Sequence, residues 1–357
     1  MPEDIVLSVD YHDQNCVIRR RALGSGAEEV LSVPTTDGDL RRVLAQARAQ
    51  AGRGGRVVWI QESTTGWARV QALLGGRVEF VLANVLQMPL PPKGRRRKTD
   101  KVDTARLQRE YLNGELPRAH QPPAWWRRLR RLVACREDLV SRRTALRNWV
   151  NRYLAHETWE DRAGLWSAKG RRRLSAITAR LPRPDALVLG TKLAELDRSP
   201  AALAGVEAEL FAAYHECPDA QRLDAVRGIG VVAAVSIVAR IGPVGRFGSA
   251  EQLIAYAGLA PGVRQSDRTR HDGRIGGGGT DKHLRHYLIE ASVWARQVPR
   301  YRATYERAAR RRGPKIGRLV VARLLLRSIY KVLRDGVALR PPRPPAVDAG
   351  GGRRRGS

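Results

Sequence analysis

Cysteine is scarce in this chain of 357 residues: Cys16, Cys135 and Cys217 stand far apart and are odd in number. That spacing fits neither a zinc site nor a disulfide framework and points to a reduced, cytoplasmic protein. Long apolar runs are missing too. Hydrophobic residues make up 43% of the sequence, enough for real cores, yet no run approaches the length of a membrane span. The N-terminus lacks the basic-then-apolar pattern of a secretory signal. The third shortage is of acids. Only 35 Asp and Glu face 65 Lys and Arg, a formal net charge of +30, and the sequence pI is near 11.3. Such a surplus strains a compact chain by self-repulsion unless a polyanion offsets it. Most of it is arginine, which grips phosphate bidentately and stacks on bases. Nucleic acid is the expected partner, a membrane surface the weaker alternative.

The acids that are present fall in a pattern. Ile5 to Val9 is a short apolar run ending in Asp10, read as a buried strand with an acid at its C-terminal end. Strands at Cys16–Arg19 and Glu29–Val33 follow, the first after a turn-like His12-Asp13-Gln14-Asn15. Asp37 caps a helix to about Gln50, ended by the glycines after residue 51. Val57 to Ile60 is another buried strand, and Glu62 lies just past it. A helix at 67–74 and a strand at 78–83 precede Lys98-Thr99-Asp100-Lys101-Val102-Asp103. Thr99 or Asp100 can cap a helix there, and Asp100 and Asp103, three apart, emerge on one face of it. Two carboxylates that close repel unless a cation sits between them. This element order is that of the ribonuclease-H or RuvC-like fold, an α/β architecture whose first and fourth strands are neighbours. Asp10, Glu62, Asp100 and Asp103 can then converge, and such acids hold two Mg²⁺ ions at a phosphodiester.

Further along, the pattern turns helical. A Pro/Gly-rich basic loop, Pro89 to Lys98, is either an ordinary solvated connection or, beside a metal site, the place where a phosphate backbone would be gripped. From Trp125 to Leu154 a coiled-coil-like seam of apolar residues alternates with an Arg-dense outer face that includes Arg127, Arg128, Arg130, Arg131, Arg142 and Arg147. A second helix, from about Asp185 to His215, packs back on it with a break or kink at Pro200. The seam serves equally as a subunit contact. Val226 to Gly230 followed by an Ala/Val-rich helix is similar to a helix-hairpin-helix, in which Gly228, Gly230 and the next helix present N–H groups to phosphate. Ser249 and Gln252 make a capping box. Ser266 lies in a loop among Arg264, Arg268, Arg270 and Arg274, before a helix capped by Thr280 that carries His283, Arg285 and His286. A serine so surrounded is either a turn residue or an activated nucleophile. The last helix runs from about Lys315 to Leu333, and the Pro/Gly/Arg tail after it is read as disordered.

Together these pieces resemble a family. Ser8-Val9-Asp10, Gln61 to Gly66, Lys98 to Asp103, Gly228-Ile229-Gly230, Tyr256 to Pro261 and Arg264-Gln265-Ser266 stand in the order of the DEDD-type insertion-sequence transposases, the "IS-one-ten" group of bridge-RNA-guided serine recombinases. The resemblance implies a RuvC-like DEDD domain over 1–115, a helical coiled-coil region over 116–220, a mainly helical serine transposase domain over 221–336 and a basic tail over 337–357. It implies Asp10, Glu62, Asp100 and Asp103 as Mg²⁺ ligands and Ser266 as a nucleophile that links covalently to DNA. Lys98, Gly228, Gly230, Arg264, Arg268, Arg270 and Arg285 would contact nucleic acid. Donor and target DNA, a structured noncoding guide RNA and further copies of the chain, as dimer or tetramer, are the implied partners, in a bacterial cytoplasm at the nucleoid. One departure stands out: the family commonly has Gly after the serine, where this chain has Asp267. Two other readings remain, a metal-only nuclease or junction resolvase with Ser266 structural, and a non-catalytic RNA/DNA-binding derivative.

Overall fold

The apolar run at the N-terminus becomes the middle of a sheet. A computed structural model describes residues 2–88, 100–157, 163–266, 269–276 and 280–337, and the chain divides into two units, Met1–Gln121 and Pro122–Ser357. In the first unit the elements are β1 (Ile5–Tyr11), β2 (Asn15–Ala22), β3 (Glu28–Pro34), α1 (Asp37–Ala51), β4 (Val57–Glu62), α2 (Trp67–Leu74), β5 (Glu79–Ala83) and α3 (Asp100–Leu112). The strands lie in the order β3-β2-β1-β4-β5. β1 runs antiparallel to β2 and parallel to β4, which is parallel to β5.

Burial on both faces explains why β1 and β4 are nearly continuous in apolar residues. Ile5, Leu7, Val9 and Trp59 face one core with Leu40, Val43 and Leu44 of α1 and Val70 and Leu74 of α2. Val6, Val58 and Ile60 face a second core closed by Leu107 of α3. Since side chains alternate along a strand, Asp10 and Glu62 have the parity of the α3 face. The β1–β4 register runs to Val9 opposite Gln61, so Asp10 and Glu62 are the next residues on adjacent strands. Glu62 ends β4 rather than following it. The cap of α1 also differs by one residue. Thr36, not Asp37, accepts the Asp39 N–H, because a hydroxyl one step earlier reaches that donor while Asp37 is already helical. Gly66 precedes α2 at φ 76°, where a Cβ would strike the Tyr11 ring.

The second unit is helical: α4 (Ala124–Glu157), α5 (Ala168–Arg180), α6 (Arg183–His215), α7 (Pro218–Asp224), α8 (Val231–Ile241), α9 (Ala250–Tyr256), the strands β6 (Pro261–Ser266) and β7 (Thr269–Ile275), then α10 (Lys282–Ala295), α11 (Pro299–Arg312) and α12 (Pro314–Asp335). α4 and α6 pack together and are fixed at both ends. Val150 and Leu154 meet Leu174, Ile177, Leu189 and Leu193 at one end. Leu129, Val133 and Leu210 join the large core around α8, α10 and α12 at the other.

Pro200 does not break α6, which is one helix of 33 residues. A proline removes the N–H that would reach the carbonyl four residues back, here that of Leu196. The Ser199 hydroxyl donates to that same carbonyl at 2.7 Å, so the orphaned acceptor is satisfied. The segment read as a loop around Ser266 is a β-hairpin, with Ser266 paired to Thr269 across its turn. Gly262 lies within β6 and Gly273 within β7, so the glycines of this stretch are part of the ribbon. Asp281, not Thr280, caps α10 and accepts from the N–H groups of His283 and Leu284. The basic stretch 89–99, with Lys98 and Thr99, the residues Asp267 and Arg268, and the tail from 338 lie outside the described residues.

Candidate metal centre and the elements around the serine

Asp10 sits at the end of β1 with its side chain 15% exposed, and Asp100 opens α3 with its side chain 53% exposed. Between them stands His12, from the turn after β1. Its Nε2 lies 3.5 Å from Asp10 Oδ1 and 3.8 Å from Asp100 Oδ2. Ligand atoms of the three lie within 4.8 Å of one another, the group of this kind among the described residues. Asp103, half-buried one turn along α3, and Glu62, half-buried at the end of β4, are outside that group. Asp103 is still near enough to act. Burial is the main cause that raises the Asp10 carboxyl above the usual aspartate range; His12 opposes the rise, and the charges of Asp100 and Asp103 add to it. Carboxyls held together against their own repulsion are what a divalent cation relieves, so these residues fit such an ion. His12 was legible only as a turn residue; its proximity to Asp100 arises from the fold.

The cysteines take no part. All three are free, and burial pushes the Cys16 thiol up to about 11, where it stays protonated and poor as a ligand.

In the second unit Ser266 ends β6, and Arg264 and Arg270 lie on the same ribbon. Arg285 sits at the ribbon's root: its guanidinium donates to the Gly258 carbonyl at 3.4 Å and occupies the space where a Cβ on Gly276 would fall. Gly228, at φ 92°, lets the turn between α7 and α8 approach α10, since a Cβ there would lie 2.7 Å from the Ala291 carbonyl oxygen. A shallow groove at that turn is lined by Arg227, Gly228, Ile229, Gly230 and the exposed Trp294.

Charges here also point inward. Arg240 of α8 pairs with Glu137 of α4 and lies 3.8 Å from Asp281 of α10. His283 Nδ1 is 3.0 Å from Glu137 Oε2. Arg130, expected on an outer face of α4, instead donates to the Ala239 and Arg240 carbonyls at 2.7 and 3.0 Å. It caps the C-terminal end of α8, where a cation suits the helix dipole. No sequence signal marked this network, because its members come from α4, α8 and α10.

Comparison with known proteins agrees with this layout. The profile of DEDD transposases of the IS110 type matches residues 11–157. The profile described as the transposase IS116/IS110/IS902 family matches residues 220–306. The chain belongs to the IS110-type DEDD transposase family. The first IS110-type match takes in Glu62, Asp100 and Asp103, and the second takes in Gly228, Gly230, Ser266 and Arg285. The chain is 26% identical over 270 residues to a transposase candidate, y4qE, of Sinorhizobium fredii, an alignment covering 75% of this chain and 65% of the relative. It is 30% identical over 142 residues to the transposase for insertion sequence element IS1111A of Coxiella burnetii, 36% of each chain. An insertion element IS110 protein of Streptomyces coelicolor matches at 28% over 144 residues, 40% of this chain and 36% of that one. The chain thus spans less than two thirds of the length of these relatives. No helix among the described residues is long and apolar enough to cross a membrane.

Proposed function

We propose that the chain is the DNA transposase of a bacterial insertion sequence, cutting and rejoining DNA with an acidic metal site and a serine nucleophile. The observation that carries this reading is the meeting of Asp10 and Asp100, ninety residues apart in the chain, beside His12. Asp10, Glu62, Asp100 and Asp103 form the DEDD set, the first two on neighbouring strand ends of a RuvC-like sheet. When bound there, a divalent ion, Mg²⁺ in this reading, supplies positive charge to the oxygens of a phosphodiester. Ser266 Oγ attacks phosphorus, its proton goes to the departing sugar oxygen, and the phosphoserine ester conserves the bond until strands are exchanged. Arg264, Arg268, Arg270 and Arg285 offset the phosphate charge.

The domain reading is a RuvC-like domain at 1–115, a coiled-coil region at 116–220 and a serine transposase domain at 221–336. The +30 net charge supports binding of donor and target DNA and of a structured guide RNA, by a homo-oligomer in the cytoplasm at the nucleoid. Gly228, Gly230 and Lys98 are assigned to phosphate contacts.

Denaturing electrophoresis of the protein with labelled junction DNA and Mg²⁺, followed by peptide mapping, tests this. The expected outcome is an adduct on Ser266 that Ser266→Ala removes. Asp10→Asn or Asp100→Asn should slow strand exchange by on the order of a thousandfold, the several kcal/mol a metal site supplies. Metal-dependent cleavage with no adduct would replace this reading by the metal-only nuclease.

A further inference from the structure

His12 is held beside the two acids by its backbone, not by burial. Its N–H donates to the Asn15 carbonyl at 3.2 Å, and its carbonyl accepts the hydroxyl of the buried Thr35 at 2.8 Å. The turn is therefore fixed, while the imidazole itself is 57% exposed. An exposed side chain on a fixed turn has many rotamers open to it. The one present sets Nε2 at 3.5 Å from Asp10 and 3.8 Å from Asp100.

Those distances are too long for charge-assisted hydrogen bonds, which close to about 2.7–2.9 Å. They suit donors arranged around a common centre. Ligands bound at about 2.0–2.2 Å lie roughly 3 Å apart when adjacent and roughly 4.2 Å apart when opposite. Both separations fall in that interval.

We infer that His12 is itself a ligand of the metal, so that this chain's centre is a mixed set of one imidazole and two carboxylates. The inference rests on the reading of Asp10 and Asp100 as metal ligands. Its consequence is a change of ion preference. Carboxylate oxygens suit Mg²⁺ and Mn²⁺ alike, whereas imidazole adds affinity for transition ions, rising from Mn²⁺ to Co²⁺. The centre should hold Mn²⁺ and Co²⁺ more tightly than Mg²⁺, and His12 should be the cause. The competing role for the same geometry is a counter-ion: an imidazolium that neutralises the acids until a metal displaces it. The two roles differ in sign, because removing a ligand weakens metal binding and removing a competing cation strengthens it.

Titration calorimetry of the full chain with Mg²⁺, Mn²⁺ and Co²⁺ in turn, with the visible absorption of the Co²⁺ form, separates them. His12→Ala keeps both backbone hydrogen bonds of the turn, and its melting curve should match the parent. It should lose about 10–100-fold in Mn²⁺ and Co²⁺ affinity, with a much smaller change for Mg²⁺, and the Co²⁺ absorption should shift. Unchanged or tighter Mn²⁺ and Co²⁺ binding by this variant would overturn the inference and leave the acidic centre standing. Asp10→Asn is the control for the reading beneath it. It should abolish the strong site for all three ions, and parental binding by that variant would end the metal assignment as a whole.

Discussion

The two units handle charge in opposite ways. In Met1–Gln121 the charges of the candidate site are acids, placed on the ends of elements whose bodies are apolar: Asp10 follows five fully buried residues of β1, and Asp100 opens α3, whose Leu107 joins the core. Surface pairs on that sheet, such as Arg19 with Glu28 across β2 and β3, are peripheral. In Pro122–Ser357 the charges are mostly arginines, and several are drawn inward. Arg130 and Arg323 donate to the carbonyls of Ala239 and Leu259, and Arg240 joins α4 to α8 and α10. Strands fix the position of a side chain within a rigid pleat, whereas arginines on helices set a potential over a wide surface. On the proposed function, one unit would specify where chemistry happens, and the other the kind of polymer to which it happens.

If the units are separately stabilised, a core lesion in one should leave the other intact. Trp59→Ala removes a fully buried ring in contact with the α1 and α2 core and the hydrogen bond from Nε1 to Gln61 at 3.2 Å. It should destabilise the first unit by about 3–5 kcal/mol. Calorimetry should show one transition falling and the other unmoved; two transitions falling together would break the comparison. A smaller effect is expected from Arg240→Met, which strands Glu137 and Asp281, both only slightly exposed. With His283 left beside Glu137 to compensate in part, the cost should be about 2–3 kcal/mol, and adding Glu137→Leu should recover most of it. A denaturant melt of the double variant no better than the single would show that the pair is not what holds α8 to α4.

The smallest effect concerns Asp10. Its folded-state carboxyl titrates above the usual aspartate range, chiefly because of burial, so ionisation disfavours the folded form. Below that usual range the acid is protonated both folded and unfolded, and the penalty is absent. The penalty grows as pH rises from there through the raised folded value and is complete above it. Asp10→Asn should therefore slightly raise the melting temperature at neutral pH in the presence of a chelator, and the gain should vanish on acidification.

Much of the first unit was legible because its signals are local. A short apolar run bounded by turns suits a buried strand of a sheet covered on both faces, and of the four acids read at strand and helix ends the structure gathers Asp10 and Asp100, with Glu62 and Asp103 outside that group. His12 escaped for the opposite reason. A polar residue in a hairpin turn is ordinary, and its nearness to Asp100 exists only after α3 packs on β1. The break expected at Pro200 is absent because the rule for proline looks at one missing donor, whereas Ser199, one residue away, supplies another. Around Ser266 the stretch read as a loop is a ribbon, whose pairing joins residues on either side of a turn and leaves no apolar alternation in the sequence. The Glu137–Arg240–Asp281 network had no signature at all, being three helices meeting.

That ribbon has a mechanical consequence. β6 and β7 pair only with each other among the described residues, and Ser266 stands at the far end of β6 from Pro261, about 17 Å away at strand rise. A rotation of about 5° at the root carries the tip through roughly 1.5 Å, more than the misplacement of about 1 Å that costs a hundredfold in rate. The position of Ser266 is thus leveraged at a fulcrum where Arg285 rests against Gly258 and Gly276. If Ser266 is the nucleophile proposed above, a lever of that length cannot aim itself, and whatever grips the end of the ribbon decides when the serine is armed.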